Sequence, residues 1–244
     1  MEGININQFL RRIELRKEKV ESFEVYPYNL PAIKNLSTLK LHPKVTYIVG
    51  ENGTGKSTIL EAIAVAWGIN AEGGTQNFNF ATHSSHSDLY DKLLMVKGSK
   101  KPDLSFFLRA ESFYNLATNI DEIGAAQSYG GKSLHEQSHG ESFFSVIMNC
   151  FRGNGLYILD EPEAALSPAK QLALLARMHE LIQKNAQFII ATHSPIVMAY
   201  PDALLYELKD GNFDAVKYDE TEHYSVMKSF MENPKMMLDI LLGK

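Results

Sequence analysis

Apolar positions along this chain follow two rhythms. Short continuous runs rich in β-branched and aromatic residues occur at Val45-Thr46-Tyr47-Ile48-Val49, Leu104 to Arg109, Leu156-Tyr157-Ile158-Leu159 and Phe188-Ile189-Ile190-Ala191-Thr192. They are too short for helices and predict buried strands. Between them the spacing turns helical. Ser57 to Trp67 is helix-prone and stops at Gly68. Phe143, Phe144, Ile147, Cys150 and Phe151 form an apolar stripe behind Ser138, which makes a capping box with Glu141 three residues on. Ser167-Pro168 supplies an N-cap and a first-turn proline for a helix to about Gln183. This alternation predicts an α/β fold, doubly wound around a mostly parallel sheet.

The flanks read differently. From Phe9 to Leu41, Ile13 and Leu15 alternate with charges, as do Phe23 and Val25, and Pro27, Pro31 and Pro43 punctuate. N-terminal strands joined by turns are expected there, antiparallel and ahead of the main sheet. Between Asn70 and Lys101 the composition shifts to Gly, Asn, Ser, Thr and His, which predicts loops. A peripheral, partly helical lobe is placed at about 70–137, within a single domain of 1–244. Leu204 to Leu208 and Phe213 to Lys217 predict a hairpin across Asp210-Gly211. Thr221 to Leu242 is helical with a break at Pro234. Its methionines Met227, Met231, Met236 and Met237 are expected to pack, a docking face being the other reading.

Bulk properties exclude more than they select. The net charge of −5 and pI near 5.9 argue against a broad nucleic-acid surface, leaving room for a local patch. Arg11, Arg12, Arg16, Lys17 and Lys19 are interleaved with Glu14, Glu18 and Glu21, as on a solvated face. Cys150 is the only cysteine, so no intrachain disulfide can form. The N-terminus carries no signal pattern, and no apolar run approaches the ~20 residues of a membrane span. A cytoplasmic protein is expected.

The chemistry begins at Gly50-Glu51-Asn52-Gly53-Thr54-Gly55-Lys56-Ser57-Thr58, a phosphate-binding loop set between a strand and a helix. Glycines let backbone N–H groups face a polyphosphate, and the helix N-terminus adds favourable partial charge. Lys56 reaches the β- and γ-phosphates, and Ser57 is placed to ligate Mg²⁺. Downstream, an apolar strand ends in Asp160-Glu161-Pro162-Glu163. In a phosphate-loop protein the acid at such a strand end helps hold Mg²⁺, here Asp160, which frees Glu161 to polarise an attacking water. His193 closes another buried strand, where ligands of α/β proteins gather. Ser138 is a helix N-cap, and an uncovered helix start can also hold a phosphate. Tyr26 or Tyr28 could stack on an adenine, although an aromatic beside a proline more often packs. Two imitations are set aside for want of a preceding strand: Ala81-Thr82-His83-Ser84, which echoes Ala191 to Ser194, and Gly130-Gly131-Lys132-Ser133.

Taken in order, these motifs resemble the ATP-binding cassette (ABC) ATPases over nearly the whole chain. Gly50 to Thr58 matches the phosphate loop, Ser138 to Glu141 the signature, Asp160-Glu161 the strand-end acids and His193 the switch histidine. Ser138 and Asp160 are 22 positions apart, Glu161 and His193 are 32 apart. The resemblance implies a Mg²⁺-dependent ATP hydrolase in which two subunits sandwich two ATP molecules. Glu161 would be the general base and His193 would touch the γ-phosphate and the water. Ser138 and Gly140 would touch the γ-phosphate held by the other copy. Gln137-Ser138-His139-Gly140-Glu141 departs from the transporter signature Leu-Ser-Gly-Gly-Gln. It looks more like the soluble ATPases related to repair, chromosome-maintenance and bacterial defence proteins, here without heptads for a coiled coil. Ser167 stands where the family's aspartate loop carries Asp, and Gln76 and Glu111 compete for the glutamine that completes the Mg²⁺ shell. The expected setting is DNA maintenance or defence, with an ATP-dependent homodimer, an unknown protein partner, and nucleic acid met only through a partner or a local patch. The alternative is the energy-coupling subunit of a membrane transporter. It needs a membrane partner and a glutamine-centred docking loop, which the sequence does not offer.

Overall fold

Residues 8–75, 87–122 and 138–243 are described by the computed structural model. In chain order they form β1 (Leu10–Leu15), α1 (Pro31–Asn35), β2 (Thr38–Lys40), β3 (Val45–Val49), α2 (Lys56–Trp67) and β4 (Gly74–Thr75). Next come α3 (Leu89–Lys92), β5 (Leu93–Lys97), β6 (Leu104–Arg109), α4 (Phe113–Glu122) and α5 (His139–Cys150). The C-terminal half adds β7 (Gly155–Asp160), α6 (Pro168–Ile182), β8 (Gln187–Ala191), β9 (Leu204–Lys209), β10 (Asn212–Ala215), α7 (Glu222–Glu232) and α8 (Pro234–Leu241). A seven-stranded sheet runs β10-β9-β3-β8-β7-β6-β4, and a three-stranded sheet runs β2-β1-β5. The five inner strands of the larger sheet are parallel, with β10 and β4 antiparallel at its edges. The smaller sheet is antiparallel throughout.

Period-two alternation explains the burial of the inner strands on both faces. Tyr47, Phe106, Tyr157, Leu159, Phe188 and Ile190 face one core, with Phe143 and Ile147 of α5 and Leu174 and Met178 of α6. Ile48, Phe107, Leu156, Ile158 and Ile189 face the other, with Ile59 and Ile63 of α2, Ile13 of the smaller sheet and Phe9 just ahead of it. Trp67 ends α2 by donating Nε1–H to Ser105 at 2.8 Å. Cys150 lies at the edge of the first core, and burial pushes its thiol up to about 12, as expected of a packing residue.

A single buried amide joins the two sheets. Gln187, fully buried, accepts from the N–H groups of Phe9 (3.1 Å) and Leu10 (3.0 Å). Its own NH₂ donates to the carbonyls of Leu10 (2.7 Å) and His42 (2.9 Å). It thereby provides an acceptor for two N–H groups at the start of β1 and a donor for the Leu10 and His42 carbonyls.

Three expectations need correction. Phe23 and Val25 lie in turns between 21 and 30, not in a strand, because their alternation is too short to pair and Pro27 lacks the N–H a ladder needs. Leu93–Lys97 is a strand where loops were expected, since the polar residues ahead of it masked a run that pairs Met95 with Ile13. The tail methionines do not pack. Met227, Met231 and Met236 are exposed, and neither α7 nor α8 buries a residue among those described. The hairpin forms as predicted, with Asp210 and Gly211 both at positive φ. Gln76, Ala81 to Ser84 and Gly130 to Ser133 lie outside the described residues.

The amide link makes a stability prediction. Gln187→Leu keeps the volume but strips the Phe9 and Leu10 N–H groups of their acceptor inside a dry core. We expect a loss of about 2–5 kcal/mol by urea denaturation. A loss below about 1 kcal/mol would show that those groups find water or another partner.

Candidate active site

Three parallel strands deliver the site. At the exit of β3, Gly50 takes φ of 146°, and a Cβ there would stand 2.6 Å from the Leu208 carbonyl of β9. Only glycine fits between loop and sheet. Gly53 and Gly55 also take positive φ, and Gly55 caps α2. The Thr54 hydroxyl ties back to the Glu51 carbonyl at 2.8 Å. Lys56 is buried at the first position of α2, its Nζ donating to the carbonyls of Gly50 (2.8 Å) and Glu51 (2.7 Å). Burial lowers its pKa, against the pull of Glu161, Asp160 and Glu163. The loop, in particular Asn52, Gly53 and Ser57, lines a cavity of about 430 Å³ with Arg109, Asp160 and Glu161.

At the exit of β7, Asp160 is 3% exposed and accepts from the Ser57 hydroxyl at 3.0 Å. Burial pushes its carboxyl up to about 6, although Arg109 and Ser57 oppose the shift. The Arg109 guanidinium, at the end of β6, spans three carboxylates: Glu61 at 3.0 Å, Glu111 at 3.1 Å and Asp160 at 3.2 Å. Its Nε approach to Asp160 is an ion pair without hydrogen-bond alignment. A hydroxyl and a carboxylate oxygen side by side, with the carboxylate's charge only partly offset, are the hard donors that suit Mg²⁺. Ser57 and Asp160 fit that ion.

Glu161 follows in the left-handed region (φ 50°, ψ 53°), a conformation unfavourable for a residue with a Cβ and frequent at functional sites. Its carboxylate is partly exposed and lies 3.2 Å from His193 Nε2, at an angle short of a full hydrogen bond. His193 leaves β8 two residues beyond Ala191, and its backbone N–H donates to Glu163. Ser194 beside it donates to Gln171 of α6 at 2.6 Å, which anchors the turn. Burial and the Lys56 charge lower the His193 pKa, so the imidazole is neutral at neutral pH. Its Nδ1 lies 3.1 Å from Nε2 of His223, the second residue of α7.

The remaining expected residues stand apart. Ser138 caps α5 as predicted, its backbone N–H and hydroxyl both donating to Glu141 (3.0 and 2.6 Å). Gly140 has a packing reason of its own, since a Cβ would come within 2.5 Å of the Ala165 carbonyl. Neither residue lines the cavity at the phosphate loop of its own chain. Ser167 caps α6, its hydroxyl accepting from the Lys170 N–H. Glu111, of the two candidates for completing the Mg²⁺ shell, lines that cavity with its side chain largely exposed. Tyr26, for which packing was the favoured reading over adenine stacking, is 64% exposed with its hydroxyl 3.4 Å from the Thr58 hydroxyl. Tyr28 is the buried one, and it donates to Asp88.

Two family models match the chain. One, described as "AAA domain", covers residues 18–132 and so takes in the phosphate loop. The other, "AAA domain, putative AbiEii toxin, Type IV TA system", covers residues 127–199 and takes in Ser138, Asp160, Glu161 and His193. Together the two models span residues 18–199, and with the relatives below they support an ABC-type ATPase. Among curated proteins, this ATPase is 20% identical to the cell division ATP-binding protein FtsE of Bacillus subtilis over 80% of its own length and 92% of that protein's. It is 22% identical to the ABC transporter G family member STR2 of Medicago truncatula over 62% of the chain. It spans about a quarter of that protein's length (24%). Among solved structures, a nucleotide-free ATP-binding cassette from an ABC transporter matches at 18% identity with a TM-score of 0.50, covering 93% of this chain and 97% of that one. The SMC head domain from Thermotoga maritima matches at 17% identity with a TM-score of 0.46, covering 86% and 98%. The mixed sheet with its parallel centre is the phosphate-loop ATPase fold that the sequence predicted.

Four residues of this ATPase's site escaped the sequence reading: Glu61, Arg109, Glu163 and His223. Glu163 was visible as the third acid of its cluster, and Arg109 as the cation closing an apolar strand. His223 gave no signal, because its place depends on how α7 docks.

The raised Asp160 pKa sets a stability test. A carboxyl whose folded pKa exceeds its unfolded value costs stability as pH rises through the interval between them, here from about 4 to about 6. Above that interval the cost is constant at roughly 1–3 kcal/mol. Without nucleotide or Mg²⁺, Asp160→Asn should therefore melt higher than the wild type at pH 7.5, with the difference gone near pH 4. An equal or lower melting temperature at pH 7.5 would show that the Arg109 pair outweighs the burial.

Proposed function

We propose that two copies of this ATPase close on ATP, each phosphate loop facing the α5 N-terminus of the other copy, and that hydrolysis reopens them. The observation that carries the reading is one constellation. Glu161, held in a left-handed turn, lies beside a neutral His193, next to the Ser57–Asp160 pair and Lys56. A neutral imidazole with Nε2–H can donate to a γ-phosphate oxygen, and a carboxylate can take a proton from water.

The steps follow from those roles. Lys56 and the loop N–H groups bind the β- and γ-phosphates. Ser57 and Asp160 would hold Mg²⁺, which neutralises charge on the phosphate oxygens when bound. Glu161 takes a proton from water as the water oxygen attacks the γ-phosphorus. The bond from that phosphorus to the β–γ bridging oxygen breaks, and ADP carries away the electron pair. His193 steadies the γ-phosphate oxygens. Ser138 and Gly140 of the second copy complete the γ-phosphate shell, and Tyr26 offers an exposed face to the adenine.

The setting we favour is cytoplasmic, in DNA maintenance or defence. The toxin-system description of the second family model and the cell-division role in FtsE's name support it. A partner protein would carry the mechanical output, with nucleic acid met through it or a local patch. The second reading, an energy-coupling subunit, draws on the likeness to a transporter cassette. No helix among the described residues is long and apolar enough to cross a membrane, so that reading needs a membrane partner. Identifying what co-purifies with the ATP-trapped chain separates the two.

Glu161→Gln should bind ATP but lose hydrolysis by ~10²–10⁴-fold, trapping a dimer visible by light scattering. Turnover within a few-fold of wild type would remove Glu161 as the base. Mixing inactive Lys56→Ala with inactive Ser138→Arg tests the shared site. A mixed dimer has one intact site of two, and random pairing makes half the dimers mixed, so about a quarter of wild-type activity should return. No recovery, with a rate linear in protein concentration, would leave Ser138 as a helix cap alone.

A further inference from the structure

The first turn of α7 is fastened to the catalytic loop from several sides. Tyr218, ahead of it, donates its hydroxyl to the Pro195 carbonyl, two residues past His193, at 2.9 Å. Thr221, fully buried, caps α7 by accepting from Tyr224 N–H, and its hydroxyl lies 3.8 Å from the sulfur of Met198. The Glu222 N–H donates to Glu207 of β9 at 3.0 Å. These contacts place His223 with Nε2 3.1 Å from His193 Nδ1. The same turn walls a cavity of about 690 Å³, with Gly50 and Thr54 of the phosphate loop opposite His223 and Met227. Past the first turn, α7 buries no residue among those described.

Proton bookkeeping gives that contact a direction. Two imidazole nitrogens 3.1 Å apart need one donor and one acceptor. His193 is neutral, and its Nε2 faces the Glu161 carboxylate, which can only accept when ionised. At 3.2 Å, though short of hydrogen-bond alignment, an Nε2–H is favoured there over a lone pair that would face the anion, which leaves Nδ1 as the acceptor and His223 as the donor through Nε2–H. Nδ1 of His223 finds no hydrogen-bond partner among the described residues, as the matching tautomer allows. The hydrogen bond made by one ring nitrogen decides which form the other takes.

We propose that His223 is a positioning residue for ATP hydrolysis: by donating to His193 Nδ1 it fixes the His193 tautomer that presents Nε2–H to Glu161 and the γ-phosphate, and so makes the first turn of α7 part of the catalytic apparatus. The proposal rests on the reading of His193 as the γ-phosphate contact. His223 itself touches no reacting atom. Its loss lets the His193 ring rotate and carry its proton on Nδ1, which turns an acceptor toward the phosphate.

The test uses the full chain with Mg·ATP and four variants. His223→Ala should lower kcat by ~10–100-fold, the effect typical of removing a partner that orients an imidazole. Its KM and its affinity for a non-hydrolysable ATP analogue should stay within about three-fold of wild type. His223→Gln, whose amide keeps a donor, should recover turnover to within a few-fold. His193→Ala should fall at least as far as His223→Ala, and the double variant no further than His193→Ala alone. Nitrogen-15 spectra of the imidazoles should show His193 as the Nε2–H tautomer in wild type and mixed in His223→Ala. If His223→Ala is too unstable to assay, His223→Leu takes its place against the Gln variant. Wild-type turnover in His223→Ala beside an inactive His193→Ala overturns the inference and leaves the reading of His193 standing, as does a loss that Gln fails to restore. Wild-type turnover in His193→Ala overturns both.

Discussion

The parallel register of β6, β7, β8 and β3 is the constraint on which the site depends. Ile48 and Asp160 both stand level with Ala191, and Arg109 stands level with Asp160. Four consecutive strands in space thus end within a residue of one another, and the chain leaves each at the same edge. Those exits carry Gly50, Glu111, Glu161 and His193. A register slip of one residue would turn every core side chain of a strand to the opposite face, so two-sided burial holds the edge level. Catalytic precision here is a by-product of packing. The apolar residues that fill the two cores also fix the height at which each polar side chain emerges.

Charge at that edge is arranged to be incomplete. Among the described residues, Asp160, Glu161 and Glu163 face the charge of Lys56, and Asp160, Glu61 and Glu111 share Arg109. Arg109 is shared three ways, so its charge cannot be given wholly to Asp160. Asp160 consequently remains destabilised by burial, and further positive charge at its oxygens is favourable. Lys56 is destabilised in the opposite sense and gains from any additional anion. A polyphosphate arriving with a divalent cation would satisfy both at once, whereas either alone would satisfy one. Binding would then complete the charge of this edge.

What the sequence disclosed follows from how each feature is encoded. Continuous apolar runs such as Leu156 to Leu159 and capped stretches such as Ser138 to Cys150 carry their structure locally, so strands, helices and the spacing of the motifs were legible. Strand β5 was not, because its four apolar residues follow a polar tract and its reason to be extended is β1, some eighty positions away. Tyr26 was misjudged for a related reason: nothing local tells an aromatic that packs from one that lies beside Thr58. Single residues are harder still. Arg109, Glu163 and His223 belong to no periodic pattern, and each acts through a partner the fold supplies from a distant segment.

The C-terminal helices carry the last consequence of this economy. Helices α7 and α8, of 11 and 8 residues, keep Met227, Met231, Met236, Leu238 and Ile240 in water. Helices of this length are marginal without a buried face, since packing rather than propensity supplies most helical stability. The fastening of α7 is concentrated in one turn, through Thr221, Glu222 and His223, and that turn touches the loop that carries His193. With His223 donating to His193, the ordering of α7 and the orientation of the imidazole become one degree of freedom, and whatever steadies the helix steadies the ring.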